Sequence, residues 1–301
     1  MRHDALVIGG SFAGLSAAMQ LARARRSVCV VDAGEPRNRF AAAAHGFFGL
    51  DGVPPLALMA QARAKLLAYP NVHFVQARAT GAAADGAGGF TVALDAGTPL
   101  SAQKLLLAFG IADTLPALDG LHERWGRSVL HCPYCHGYEV GGGPLGVLYA
   151  SPLSVHQAML IPDWGPTTFF LDGHDDALDE ATRAKLLARG ITLEPARVAG
   201  VEGEAPRLTG VRLADGRVVP VDALFIATRT RMASPLAEQL GCAFDEGMLG
   251  PVIRTDASKL TTVPGVYAAG DAGQIPQNAT LASADGLIAG VSLHQALVHG
   301  L

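Results

Sequence analysis

Charge is sparse in this chain. Only 17% of its 301 residues are charged, and the formal net charge is −4. A slightly acidic protein offers no attractive field to a nucleic acid or an anionic membrane, so neither is an expected partner. Cysteine is scarce too. Four cysteines make no disulfide scaffold. Cys29 and Cys242 are isolated, and Cys29, within the apolar run 27–31, reads as a small buried hydrophobe. A membrane-spanning run is also missing. The apolar stretch 5–21 resembles a signal-peptide core, but it carries Gly9, Gly10 and Gly14 in fixed order. It has no convincing cleavage site and leads directly into the strand-like run 28–31. It reads as the start of the fold, and a cytoplasmic location is expected.

What is abundant is apolar surface and glycine. Half of the residues are hydrophobic and 36 are Gly, enough for a large core with several close backbone approaches to a ligand. Residues 5–8 form a short apolar run, 12–25 are rich in the helix formers Ala and Leu, and 28–31 are apolar again. Strand, glycine turn, helix, strand is the order this implies. Residues 37–55 read as a loop over a ligand, and 56–68 as a helix. A pseudo-repeat follows. Residues 90–110 alternate, turn at 95–98 and end in an apolar strand; residues 208–228 do the same, turning at 214–216. Strands at 72–76 and 191–194 precede the two copies, and 145–148, 155–160 and 167–171 form another strand–helix–strand unit. The predicted fold class is α/β, with two Rossmann-like domains, the second inserted in the first. The first comprises residues 1–112 and 232–301, the second 113–231, with crossovers near Pro116 and at 229–235.

Gly9, Gly10, Ser11, Phe12, Ala13 and Gly14 follow a strand and open a helix, the context a phosphate-binding turn requires. Gly9 permits the tight turn, position 11 must let the backbone reach a pyrophosphate, and Gly14 lets the helix pack on the strand. The helix N-terminus adds N–H donors and partial positive charge. Ser11 departs from the usual Gly but is small. Asp32 ends the next strand, placed to accept hydrogen bonds from a ribose hydroxyl. A turn that merely tightens helix–strand packing is the alternative, but strand, helix and terminal acid agree on a dinucleotide.

Cys132-Pro133-Tyr134-Cys135-His136 admits three chemistries. Zinc could draw on His131 and His136, yet four ligands within six residues cannot easily surround a tetrahedral ion. C-x-x-C-H formally matches c-type haem attachment, which normally occurs outside the cytoplasm. A redox dithiol needs only two cysteines three apart at a helix start, where the N-terminus stabilises a thiolate. It suits the chain best, with zinc, haem and an inert pair still open.

The glycine turn, the CPYCHG segment, the segment VPGVYAAGDAG and the following Gln277, Asn278 and Ala279 together resemble the low-molecular-weight thioredoxin reductases over nearly the whole chain. The resemblance implies a flavoprotein oxidoreductase that binds FAD in its first domain. It implies Asp271 against the ribityl–phosphate part, Gln277–Ala279 at the flavin pyrimidine end, and Ala33, Arg37, His45 and Ala79 as further contacts. Cys135 becomes the flavin-proximal thiol and Cys132 the interchange thiol of a redox-active disulfide. The family usually has Asp after the second cysteine. Here it is His136, suited to proton transfer near neutrality. A homodimer is implied as well.

One expected feature is missing. The family's inserted domain binds NADPH through its own glycine turn, but here Tyr149 and Ser151 stand where glycines belong, and Pro152 removes a donor. The next strand leads to Asp172, Asp175 and Asp176, not to a basic cluster. NADPH is therefore not expected. This points to the branch with the gliotoxin and holomycin dithiol oxidases and other flavin-only relatives. The expected function is FAD-dependent dithiol/disulfide exchange at Cys132 and Cys135, with a small dithiol or disulfide or a thioredoxin-like protein as partner. The alternatives are an NADPH-dependent thioredoxin reductase and a redox-sensing FAD protein.

Overall fold

A computed structural model describes residues 2–300. The chain opens with β1 (Arg2–Ile8), α1 (Phe12–Arg23) and β2 (Val28–Asp32), then α2 (Pro55–Leu67), β3 (Val72–Gln76), β4 (Ala79–Ala84), β5 (Phe90–Leu94) and β6 (Leu100–Leu107). β1 is buried almost throughout, as a parallel strand covered on both faces must be, which explains its continuous apolar run. It pairs in parallel with β2 and β6, and β2 in parallel with β3. β4 and β5 form an antiparallel hairpin that joins the start of β6.

β7 (Ile111–Thr114) leads into β8 (Val129–Leu130), α3 (Pro133–Val140), β9 (Leu145–Leu148), α4 (Leu153–Leu160), β10 (Thr167–Phe170), α5 (Glu180–Ala188) and β11 (Thr192–Glu194). β12 (Val198–Glu202), β13 (Gly210–Leu213), β14 (Val218–Val219) and β15 (Ala223–Ile226) follow, and β16 (Arg229–Met232) runs back alongside β7. The parallel order β11-β10-β9-β15-β8 repeats the earlier plan, with β12-β13-β14 in the place of the β4-β5 hairpin. The internal repeat read from the sequence is therefore structural.

The return comprises α6 (Leu236–Gln239), β17 (Phe244–Glu246), β18 (Pro251–Ile253), β19 (Val266–Ala268) and α7 (Ala279–His299), with β19 adding in parallel to β6. α7 is long and apolar enough to cross a membrane by length and composition alone. It buries Ala282, Asp285, Gly286, Ala289, Gly290, Leu293 and Ala296, the stripe of a core helix. A Cβ at Gly286 or Gly290 would run into the backbone of Ala13 or Ala17, so these glycines set how closely α7 approaches α1.

Two compact units result. One contains residues 1–39, 55–112 and 230–301; the other contains 40–54 and 113–229. The first unit breaks off at 112, and Phe40–Pro54 groups with the inserted unit.

Candidate active site

In the first unit the Gly9–Gly14 turn has the shape its glycines suggest. Gly9 lies at φ +110°, and a Cβ there would overlap the Ala108 carbonyl; one at Gly14 would overlap the Gly9 carbonyl. Ser11 is the N-cap of α1, yet its side chain makes no cap bond. Its hydroxyl turns aside to donate to Met59 Sδ at 3.2 Å. That explains how a serine replaces the expected glycine: its side chain leaves the backbone face open. No acid lies in the first turn of α1. Asp32 is fixed at the end of β2, where Oδ1 accepts from Gly10 N at 3.0 Å. An uncapped helix start, closely packed glycines and an oriented carboxylate fit the diphosphate and ribose of a dinucleotide.

Residues far apart in sequence meet in the same unit. Arg37 Nη1 donates to Gln277 Oε1 at 3.4 Å and lies 3.5 Å from Asp271 Oδ2. Asp271 belongs to a short 3₁₀ turn, Gly270–Ala272. That turn is pinned by the buried Asp285, which accepts from Gly270 N at 2.8 Å and pairs with Lys259 Nζ. Asn278 caps α7, its Oδ1 accepting from Thr280 N at 2.8 Å and from Leu281 N at 3.3 Å, so that oxygen is committed to the helix. Ala279 is the first residue of α7. Ala79 is buried at the start of β4, and Ala33 follows Asp32 at the strand end.

In the second unit Cys132 and Cys135 are joined as a disulfide, with Cα atoms 5.3 Å apart. Cys132 is the N-cap of α3 and Pro133 its first residue, a position where proline's missing N–H costs nothing. Burial holds the His136 imidazole below its ordinary pKa; the Glu139 carboxylate opposes this, and His45 adds to it. His45, read from sequence as a cofactor contact, has Nε2 3.3 Å from Glu139 Oε1 and Nδ1 3.5 Å from Asp51 Oδ2. Tyr134 and Tyr138 remain exposed on α3. The other two cysteines are buried, and burial raises both thiols, Cys29 to about 11.

Residues 3–286 match the family model for pyridine nucleotide-disulphide oxidoreductases. The chain belongs to that family. Within it, the thioredoxin reductase tcpT of Claviceps purpurea is 33% identical, over 95% of this chain and 92% of its own length. An oxidoreductase from Agrobacterium tumefaciens of known crystal structure is 44% identical, with a TM-score of 0.94 over 100% of both chains. The crystal structure of HlmI is 38% identical, with a TM-score of 0.92 over 99% of this chain and 93% of that one. The protein is thus a thioredoxin reductase-like disulfide oxidoreductase acting on sulfur groups, of a flavoprotein family that binds FAD.

In the second unit the turn after β9 closes on itself. Ser154 Oγ, fully buried, accepts from Ala150 N at 2.9 Å and Ser151 N at 3.2 Å, and Ser151 Oγ donates to the Ala227 carbonyl at 3.1 Å. Pro152 caps α4. The Tyr149 ring lies 5.2 Å from that of His174 and 6.2 Å from that of Phe169. Asp172 Oδ1 accepts from Val198 N at 2.8 Å, and Asp175 pairs with Arg183 at 2.8 Å, so part of the acidic cluster serves the fold. Ser154 and Glu139 were not singled out on sequence. Ser154 lies six residues after the end of β9, as the second residue of α4, where a small hydroxyl can reach back to the turn before it; Glu139 lies one turn beyond His136.

Proposed function

We propose that this chain is a FAD-dependent dithiol/disulfide oxidoreductase that works without NADPH, most simply as a dithiol oxidase. The observation that carries this reading is the self-capped turn at Ala150–Ser154. The N–H groups that would meet a pyrophosphate are bonded to Ser154, and an aromatic side chain stands at the first glycine position.

When bound, FAD supplies a two-electron store that oxygen or another acceptor can empty. The chain's own residues perform the exchange. A substrate thiolate attacks Cys132 Sγ, the Cys132–Cys135 bond breaks and Cys135 leaves as a thiolate. The second substrate thiolate then attacks the substrate sulfur held on Cys132, forming the product disulfide and releasing Cys132 as a thiolate. Two electrons now reside on the cysteine pair, and returning it to the disulfide is the chemistry that a bound FAD would supply. His136, kept neutral by burial, takes the substrate protons. The exposed Tyr134 and Tyr138 beside the pair give a small dithiol or disulfide an apolar surface; a thioredoxin-like protein is the larger candidate.

We also read the protein as a cytoplasmic homodimer. Two unpaired buried thiols suit a reducing compartment. Leu281, Ile288, Val291 and Val298 form an exposed apolar face on α7 for a second copy. Anaerobic mixing is the test. Dithiothreitol bleaches the flavin absorbance and NADPH leaves it unchanged. Rapid bleaching by NADPH would overturn the reading in favour of a conventional thioredoxin reductase.

A further inference from the structure

On the cysteine-bearing unit, the loop Phe40–Pro54 reaches a side chain one helical turn from His136. His136 and Glu139 are three residues apart on α3, a spacing that puts both on one face. Opposite them His45 faces Glu139 through Nε2, at 3.3 Å, and Asp51 through Nδ1, at 3.5 Å. The loop that presents His45 is closed on itself. Asp51 Oδ1 accepts from Gly46 N at 2.7 Å, and Ala44 exchanges backbone hydrogen bonds with Val53 and Gly52, both at 3.0 Å. The Gly46 N–H, with His45, holds the Asp51 carboxyl below its usual range. His45 is therefore an anchored side chain, with a carboxylate at each ring nitrogen.

We propose that Glu139 and the His45 paired with it from the Asp51-closed loop are opposed positioning residues that together set how His136 exchanges protons with the cysteine pair. The proposal rests on the thiol–disulfide reading of Cys132 and Cys135 and adds to it a polar chain, Asp51–His45–Glu139, that ends one helical turn from His136. The charged and titratable groups facing His136 are Glu139 on its own helix and His45 from the loop, with Asp51 behind His45. Their influences oppose one another. A carboxylate one turn away favours the protonated imidazole, and a second imidazole disfavours it. Burial outweighs both and leaves the resting ring a proton acceptor, while the opposed charges set how readily it donates afterwards.

The opposed signs make the test specific. E139Q should move the acid limb of the pH–rate profile for cysteine-pair reduction by dithiothreitol to lower pH, and H45N should move it to higher pH. E139D should fall between E139Q and the parent. A second readout needs no turnover: the His136 ring signal in the NMR spectrum of the oxidised, histidine-labelled protein, identified by its loss in H136N. Its titration should be displaced downward in E139Q and upward in H45N. Limbs and titrations that stay in place, or that move in the same direction in both variants, would overturn the proposal. A merely structural role predicts uniform rate loss with an unmoved limb. If dithiothreitol fails to reduce the parent protein, the exchange reading itself fails, and the NMR titration still judges the polar chain separately.

Discussion

The two halves of this molecule repeat one plan and treat the same turn in opposite ways. After β1, Ser11 swings its hydroxyl away to Met59 and leaves the backbone face of the turn open. After β9, Ser154 swings its hydroxyl inward and takes two backbone donors for itself. Strand order and helix placement are nearly the same in the two units. On the function proposed above, nucleotide binding depends less on the fold than on whether the backbone N–H groups of the turn before one helix are left for a ligand or satisfied internally.

Gly14→Val attacks the open turn most directly. The new side chain would overlap the Gly9 carbonyl, and the purified protein should lose nearly all its flavin, read as the ratio of flavin to protein absorbance after gel filtration. Flavin retained at the parent ratio would break the assignment of this turn. The two serines give a finer contrast. Ser154→Ala leaves two backbone N–H groups without their acceptor and should lower stability by about 1–3 kcal/mol in chemical denaturation. Ser11→Ala removes no bond to a backbone donor and should stay within about 0.5 kcal/mol of the parent. Equal losses at both sites would erase the distinction between the turns. The smallest effect concerns acid. Burial holds both His3 and His136 below the ordinary histidine value of 6.5, so each is neutral in the folded chain while its unfolded counterpart already binds a proton. Their contribution is complete above that value and is lost as pH falls from it toward the folded pKa. Unfolding free energy should therefore fall as pH drops below about 6.5, and His3→Asn should flatten that slope.

The first turn was legible because its requirements are local. A missing Cβ at Gly9 and Gly14, a strand before them and an acid at the end of the next strand all lie within one short segment. The cysteine pair was legible for the same reason. The parallel cores were visible as apolar runs, and the repeat as two matching hairpin patterns. What escaped depends on distant partners. Nothing near His45 announces Glu139, because the two are brought together only when the loop packs with α3. Arg37, Asp271 and Gln277 were each candidates, but Arg37 meets the other two across most of the chain. Ser154 was passed over because a serine at a failed glycine turn looks like simple decay, when it is the group that closes the turn.

Because Phe40–Pro54 packs with the inserted unit, the polypeptide passes from one unit to the other four times, at 39–40, 54–55, 112–113 and 229–230. Excising the cysteine-bearing half as the uninterrupted stretch 113–229 would discard the strip that carries His45 and Asp51. A faithful minimal version would need that strip grafted on, for instance by joining residue 54 to residue 113 through a short flexible tether.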